Sequence, residues 1–452
     1  MSTDVVILAA GQGSRMRSRL PKVLHPIAGK PMVRHVIEAA ESLEEARLHV
    51  VVGHGADRVR ESLSDVSANF VMQEEQRGTG DAVARTLDAL GDGPVLVLYG
   101  DVPLIQPDTL AALMEGVDAH HMALLTVRMA HPHGYGRIVR DEQGRATAIV
   151  EEKDASEAQK RIQECNTGIL AATGAHLKRW LPQLSSDNAQ GEYYLTDIIA
   201  MAAAEEVEVL TREPHGHYEV QGVNDRVQLS ALERIHQHHQ AQRLMREGAT
   251  LADPGRIEVR GELSVGRDVF IDVGCVFEGT VSLADGVVVG AYSVIRDAHI
   301  GEDTTIEAHT LIEGAEIAGA GQIGPFARLR PGTRLARGAR IGNFVETKNA
   351  RIGEGSKINH LSYIGDSELG RDVNIGAGTI TCNYDGVSKH RTEIGDGVFV
   401  GSNSALVAPL RIGRGATIAA GSTITDTVDD DSLAIGRSRQ TQKSDWVPPH
   451  RR

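Results

Sequence analysis

Across the second half of the chain the apolar positions recur every sixth residue, a beat that neither an amphipathic helix nor an alternating strand produces. The clearest run is Ile394, Val400, Leu406, Ile412, Ile418 and Ile424, and another passes through Ile317, Ile323, Leu329, Leu335 and Ile341. Two shorter runs, Val288-Val294-Ile300-Ile306-Ile312 and Ile352-Ile358-Ile364, keep the same beat. The spacing predicts three short flat strands per triangular turn, with every sixth side chain stacked inward, which is the pattern of a left-handed parallel β-helix. Glycines that follow many of these residues suit corners where a Cβ would crowd its neighbour or where φ must be positive.

Ahead of the repeat the pattern changes. Val5-Leu8, Leu48-Val52, Val95-Tyr99 and Ala123-Val127 are continuous aliphatic runs of strand length and read as buried parallel strands. Met32-Ser42, Thr79-Leu90 and Gln190-Ala204 have helical spacing, so the first half is expected to be a doubly wound α/β domain. Arg226 to Glu247 forms one long helical pattern with Leu232, Ile235, Leu244 and Met245 as its apolar members, ended by Gly248. The expected division is therefore an α/β domain over 1–225, a helical linker over 226–248 and the coil over 249–452.

A chain of 452 residues exceeds what one core usually serves, in line with that division. The net charge of -14, with no long basic stripe, argues against a nucleic-acid partner. Aromatic residues make up only 4%, as a coil interior filled by medium aliphatic side chains requires. Cys165, Cys275 and Cys382 are too few and too dispersed for a disulfide framework or a zinc cluster, which suits a reducing cytoplasm. Val5-Leu8 is too short for the core of a signal peptide, and no stretch approaches a membrane span.

Candidate chemistry begins directly after the first strand, at Leu8-Ala9-Ala10-Gly11-Gln12-Gly13-Ser14-Arg15-Met16. Its glycines let backbone N–H groups approach a phosphate, and a helix start beyond them would add a positive dipole end. The third glycine of a dinucleotide fingerprint and the Gly-Lys-Ser/Thr of a P-loop are both missing; the segment carries the cations Arg15 and Lys22 instead. Glycines with fixed positive charge suit a triphosphate whose pyrophosphate leaves. Tyr99-Gly100-Asp101 lies at a strand's C-terminal end, where open α/β sheets place ligands and a carboxylate suits Mg²⁺. Gln73 and Gly78-Thr79-Gly80 offer amides and a hydroxyl for a base edge and a sugar. Tyr135-Gly136, Glu151, Asn166 and Asn224, placed in loops or at strand ends, can hydrogen-bond a hexose. Singly, each of these is equally well a tight turn or a solvated polar residue.

In the coil, one stretch gathers functional side chains: Arg328-Leu329-Arg330, Lys348, His360, Tyr363, Asn374 and Thr381-Cys382-Asn383-Tyr384-Asp385-Gly386. The last belongs to a loop between Ile380 and Glu393 that breaks the six-residue beat, and loops ejected from rigid scaffolds commonly carry function. An imidazole such as His360 can take the proton of an amine attacking a thioester, and Arg330 and Lys348 supply charge for a sugar phosphate. Three other sets have plainer readings. His236, His238 and His239 lie on a polar helix and read as a solvated face, and His299 and His309 lack a third zinc ligand. His131-Pro132-His133 reads as a loop, and Trp446 in the Pro-rich tail is expected to pack against the coil.

Taken in order, Leu8 to Met16, Lys22, Gln73, Gly78-Thr79, Tyr99-Gly100-Asp101, Gly136, Glu151, Asn166 and Asn224 resemble the nucleotide-sugar pyrophosphorylase pattern. With the coil, the whole chain resembles the bifunctional family of N-acetylglucosamine-1-phosphate uridyltransferases and glucosamine-1-phosphate acetyltransferases. The resemblance implies that Asp101 and Asn224 hold Mg²⁺, and that Gln73 and Gly78-Thr79 recognise uracil and nucleotide. Leu8, Ala9, Ala10, Gly11, Lys22, Tyr99 and Gly100 would complete the nucleotide-sugar site, with Gly136, Glu151 and Asn166 on the amino sugar. N-acetylglucosamine-1-phosphate would attack UTP and release pyrophosphate, with Arg15 and Lys22 neutralising charge.

For the coil the resemblance implies His360 as general base and Arg330, Lys348, Tyr363 and Asn374 on glucosamine-1-phosphate. Ala377, Asn383, Tyr384, Ser402, Ala420 and Arg437 would form an acetyl-CoA site between neighbours in a homotrimer. Acetylation would precede uridylylation. Two other readings stay open: a single-activity nucleotidyltransferase whose coil only assembles it, and a structural trimeric stalk without chemistry.

Overall fold

The computed structural model describes residues 2–451, which fall into two compact units, one running to His236 and the other beginning at Gln237. The first is an α/β unit. Its central sheet contains β1 (Thr3–Ala9), β2 (Ala46–Val52), β3 (Ala68–Met72), β4 (Pro94–Tyr99), β5 (His121–Arg128), β6 (Arg137–Arg140), β7 (Ala146–Val150), β8 (Glu164–Thr173) and β9 (Glu208–Arg212). The order is β9-β5-β8-β4-β1-β2-β3, with β6 against β8 and β7 against β6. Successive side chains of a strand point to opposite faces. Val5 and Ile7 therefore join Leu96 and Leu98 in one core layer, while Val6 joins Val95 and Val97 in the other.

The expected parallel sheet needs a correction. β1, β2, β3 and β4 run parallel, but β8 is antiparallel to both β4 and β5, and lies between them. The aliphatic run of β5 cannot reveal this, since a strand buried on both faces has the same composition beside a parallel or an antiparallel neighbour.

Two helices are also shorter than their patterns predict. The one from Thr79 ends at Ala84, and Thr86 turns its hydroxyl back onto the Val83 carbonyl at 2.7 Å, a local bond that competes with the helix. The expected helix over Gln190–Ala204 is a turn followed by a helix over Ile198–Ala204. The Asn188 side-chain oxygen accepts from the N–H groups of Gln190 and Glu192 at 3.1 and 3.3 Å and holds the first part as a turn.

The long helix spans Arg226–Glu247 as expected, and Gly248 after it has a φ of 116°. Of its four apolar members, Leu232 and Leu244 are buried, Ile235 is packed against a small cluster, and Met245 is exposed.

In the second unit a parallel coil begins at Ala249–Leu251. Its strands stack in two continuous ladders, of 11 and 14 strands, with long members such as Glu346–Ile352 crossing a corner. The runs through Ile317–Ile341, Ile352–Ile364 and Ile394–Ile424 all point inward and are buried. The run through Val288 and Val294 is corrected by one residue. There the inward residues are Val289 and Ile295, and a step of five leads to Ile300, because the register shifts between Glu278 and Val281.

The glycines serve both expected purposes. A Cβ on Gly342 would run into the carbonyl of Asn359 one turn away, with φ outside the left-handed region. Positive φ is taken by other coil glycines, such as Gly324 at 98° after the inward Ile323 and Gly355 at 68°, and also by a corner column of Tyr292, His309, Phe326, Phe344 and Leu361, between 49° and 60°. The first four of these stack ring on ring, with centroids 4.9 to 5.4 Å apart, which is where His309 is placed. Trp446, expected against the coil, is 59% exposed, with Lys443 over its ring. Among the described residues no helix is long and apolar enough to cross a membrane.

Candidate active sites

At the C-terminal edge of the α/β sheet, β1, β3 and β4 deliver their ends to one cavity of about 220 Å³. Leu8, Ala10, Gly11, Lys22, Gln73, Gly78, Thr79, Tyr99 and Asp101 line it, from segments far apart in the chain. Strand order explains the meeting, because β1 pairs with both β2 and β4, and β2 pairs with β3. Gly100 is buried under Asp101, with its N–H on the Leu8 carbonyl at 2.9 Å, which locks the two strand ends together. The helix expected after the glycines is a three-residue 3-10 turn, Ser14–Met16, entered through Gly13 at φ 62°. Any dipole contribution there is correspondingly small, and the side-chain cations carry the positive charge.

Those cations are already on the expected metal ligands. Lys22 forms an ion pair with the Asp101 carboxylate, and Arg15 Nη2 donates to Asn224 Oδ1 at 2.9 Å. Asp101 and Asn224 are brought together by the chain itself, since the Val223 N–H bonds to the Asp101 carbonyl at 2.9 Å. A carboxylate and an amide oxygen are hard donors, and both draw positive charge here; the pair fits Mg²⁺ completed by phosphate and water.

Gly136, Glu151 and Asn166 form a second group. The Asn166 N–H bonds to the Gly136 carbonyl at 2.9 Å, and a Cβ on Gly136 would lie 3.2 Å from Glu151 Oε1. Asn166 was expected in a loop or at a strand end but lies within β8, where the pairing with β5 shifts register. Asn166 is the last residue paired with β5 before that shift, opposite Thr126, and its side-chain oxygen accepts from the Gly168 N–H at 2.9 Å inside the irregular stretch. Burial pushes the Glu151 carboxyl above its ordinary range, helped by Asp154 and Asp197, and burial also raises Tyr99. Asp197 was not anticipated.

On the coil, Arg330 pairs with Glu346 at 2.8 Å, and Tyr363 stands in register with Glu346 on the same face. Lys348 lies beside Lys389, whose ammonium pushes it below the ordinary lysine value. His360 ends the strand Lys357–His360 and is exposed, with Nδ1 2.7 Å from Asn343 Oδ1. An amide oxygen only accepts, so Nδ1 donates this bond, and in the neutral ring Nε2 is the nitrogen with the lone pair. Asn374 stands on the other ladder, in register with Lys357, apart from the Arg330 face.

The ejected loop is braced rather than loose. Asn383 donates to Asp366 at 2.5 Å, and the Tyr384 hydroxyl donates to the Gly386 carbonyl at 2.6 Å. The Ser388 N–H, His390 and the Val387 N–H together hold Asp385 well below the usual carboxylate range. Ala377, Ser402 and Ala420 follow one another along a corner: Asn403 N bonds to Ala377 O, and Gly421 N to Ser402 O, both at 2.8 Å. The Arg437 stem lies over Gly421.

Sequence reading missed Asn343, Asp366 and Lys389. The signal for the first two was present, because Asn343 precedes His360 and Asp366 precedes Asn383 by 17 residues, about one coil turn. Beside the loop, Asn349, Asp366, Lys389 and His390 also line a cavity of about 460 Å³. The set-aside histidines have ordinary surroundings. His236 meets the ring of His35, His238 bonds to Gln242, His133 pairs with Glu152, and His299 bonds to Ser282. His239 meets His238 at 6.4 Å between centroids.

Residues 5–251 match the family model of the MobA-like NTP transferase domain, and residues 391–426 that of the bacterial transferase hexapeptide, in six repeats. A bifunctional protein GlmU of Chromohalobacter salexigens is 65% identical over 451 residues, covering 100% of each chain. This chain belongs to the GlmU family. A second GlmU, from Marinobacter nauticus, is 61% identical over 98% of each chain. Among solved structures, a UDP-glucose pyrophosphorylase complexed with UDP-glucose covers 52% of this chain and 98% of its own, at 15% identity and a TM-score of 0.42. The GlmU relatives span both units, so membership extends from the sheet-edge cavity to the coil.

Proposed function

We propose that this GlmU-family chain makes UDP-N-acetylglucosamine in two steps on two sites. The coil transfers acetyl from acetyl-CoA to glucosamine-1-phosphate, and the α/β unit transfers uridylyl from UTP to the N-acetylated product. The observation that carries the second step is the pairing of Lys22 with Asp101 in the cavity wall and of Arg15 with Asn224, whose neighbour Val223 bonds to the Asp101 carbonyl. Cations and oxygen donors are preassembled where a triphosphate must lose pyrophosphate, and such a transfer needs positioning and charge neutralisation above all. Asp101 and Asn224 would hold Mg²⁺, which when bound supplies further neutralisation of the phosphate oxygens. Lys22 and Arg15 engage the phosphates, Leu8 to Gly11 pass close beneath them, and Gln73 with Gly78 and Thr79 meets the base and nucleotide. Tyr99 and Gly100 complete the nucleotide-sugar site, and Gly136, Glu151 and Asn166 hold the amino sugar.

In the acetyl transfer, the amino nitrogen attacks the thioester carbonyl while His360 Nε2 takes the proton that the nitrogen loses. The thiolate of CoA leaves and is protonated in turn. Asn343 keeps the imidazole in the tautomer that can act as base. Arg330, Lys348, Tyr363 and Asn374 hold the sugar phosphate, and Ala377, Asn383, Tyr384, Ser402, Ala420 and Arg437 hold acetyl-CoA. The separation of Asn374 from the Arg330 face, together with the outward exposure of His360 and Tyr384, supports a site closed by neighbouring copies in a homotrimer. Free, buried Cys165 and Cys275 suit the reducing cytoplasm.

Free-thiol release from acetyl-CoA with glucosamine-1-phosphate, and pyrophosphate release from UTP with added Mg²⁺, test the two steps. Loss of the first in His360→Ala with the second intact is the expected result. No thiol release from the unaltered protein would reduce the coil to a scaffold.

A further inference from the structure

Gln73 follows β3, and its side chain lies in the wall of the sheet-edge cavity with only 3% of its surface exposed. Its Nε2 lies 2.9 Å from Asp81 Oδ2 and 3.2 Å from the Gly78 carbonyl. A carboxylate and a carbonyl only accept, so both must be met by the NH₂ end of the amide, and both its hydrogens are committed. Turning the amide over would set a third acceptor against those two. The one polar atom left for a ligand is Oε1, an acceptor.

Asp81 is itself pinned. Its Oδ1 accepts from Arg77 Nη2 at 2.8 Å and from Arg85 Nη2 at 3.1 Å. Burial alone would raise this carboxyl, but the bonds from Gln73 and Arg77 and the charge of Arg85 outweigh it and hold the group below the usual carboxylate range. It therefore remains an acceptor at neutral pH.

We propose that Asp81 is a specificity-determining positioning residue, which holds Gln73 oxygen-forward so that the cavity reads a ring N–H and selects uracil over cytosine. The inference rests on the assignment of this cavity to the nucleotide. Uracil offers N3–H between two carbonyls. Cytosine offers a bare N3 at that place, so two acceptors would face each other where little water can intervene. Asp81 touches no substrate in this scheme and acts only through Gln73.

Steady-state kinetics of the full-length protein with UTP and CTP, at saturating N-acetylglucosamine-1-phosphate, provide the test. In Asp81→Asn the two arginines still draw the side-chain oxygen, so its amide nitrogen faces Gln73 and pulls the glutamine oxygen inward. The kcat/KM ratio for UTP over CTP should fall at least about tenfold, mainly through a raised KM for UTP. Adding Gln73→Glu to Asp81→Asn restores an acceptor toward the base and should recover most of the ratio, which a merely structural role would not do. A ratio unchanged in Asp81→Asn overturns the proposal. Should that variant fail to fold, Asp81→Ala is measured instead; it removes the acceptor that holds the Gln73 NH₂ group, so the ratio must fall in the same direction, and an unchanged ratio again overturns the proposal. A preference for UTP that survives substitution removes only the role of Asp81. Absence of any preference in the unaltered protein removes the nucleotide assignment itself.

Discussion

The two sites differ in what one chain supplies. In the α/β unit the polar groups sit in a cavity and are paired with one another, Lys22 and Asp101 with side chains only 15% and 16% exposed. On the coil, the corresponding groups stand on outer faces and are braced mainly along the axis, His360 by Asn343 and Asn383 by Asp366. A sheet edge gathers loops from several crossovers around a hollow, whereas a solenoid offers flat faces whose depth has to come from another body. The first site is thus preorganised within one chain, and the second is proposed to be completed by neighbours.

The sharpest way to break that comparison is to remove the base proposed for the coil. His360→Ala should lower acetyl transfer by roughly 10²–10⁴-fold and leave uridylyl transfer unchanged, as read by thiol and pyrophosphate release on one preparation. Next in size, Asp101→Ala should lower uridylyl transfer by roughly 10²–10³-fold with acetyl transfer kept; a parallel loss of both would mean that the sites are not independent. A smaller effect addresses the scaffold. Ile341, 1% exposed in the coil's inward column, should cost about 2–5 kcal/mol as Ile341→Ala, so that urea abolishes acetyl transfer before uridylyl transfer.

The smallest expected change lies at the buried Asp4, near the start of β1. Burial would raise its carboxyl, but His49, the Gly91 N–H and Arg47 outweigh it and hold it below the usual range. A lowered carboxyl stabilises the fold above the unfolded value and loses that contribution as pH falls through the folded one. Asp4→Asn should therefore cost about 1–3 kcal/mol at neutral pH, with the difference from the parent shrinking below about pH 4. Thermal melts across that range measure it.

Legibility followed the same contrast. In the coil, three of four apolar runs point inward as their period requires, and the fourth slips by one residue where a turn is a residue short, at Ile295 to Ile300. Even the missed Asn343 and Asp366 lie one coil turn from the residues they brace. In the α/β unit the strands were readable as aliphatic runs, but the antiparallel insertion of β8 was not. Nine of the candidate residues named there, Leu8 to Asp101, line one cavity, yet the reason Gln73 faces as it does lies in Asp81, which no motif marked.

Residue order alone therefore carried the six-residue coil, its ejected loop, the strand-end carboxylate at Asp101 and the long helix stopping at Gly248. These depend on periodicity and on the local conformational preferences of a few neighbours. The tertiary structure decided the partners: Lys22 with Asp101 across 79 residues, Arg15 with Asn224 across 209, and the amide orientation of Gln73. Hydrogen bonds are directional and short-ranged, so which groups meet depends on strand order and register, which a pattern of hydrophobic positions does not encode.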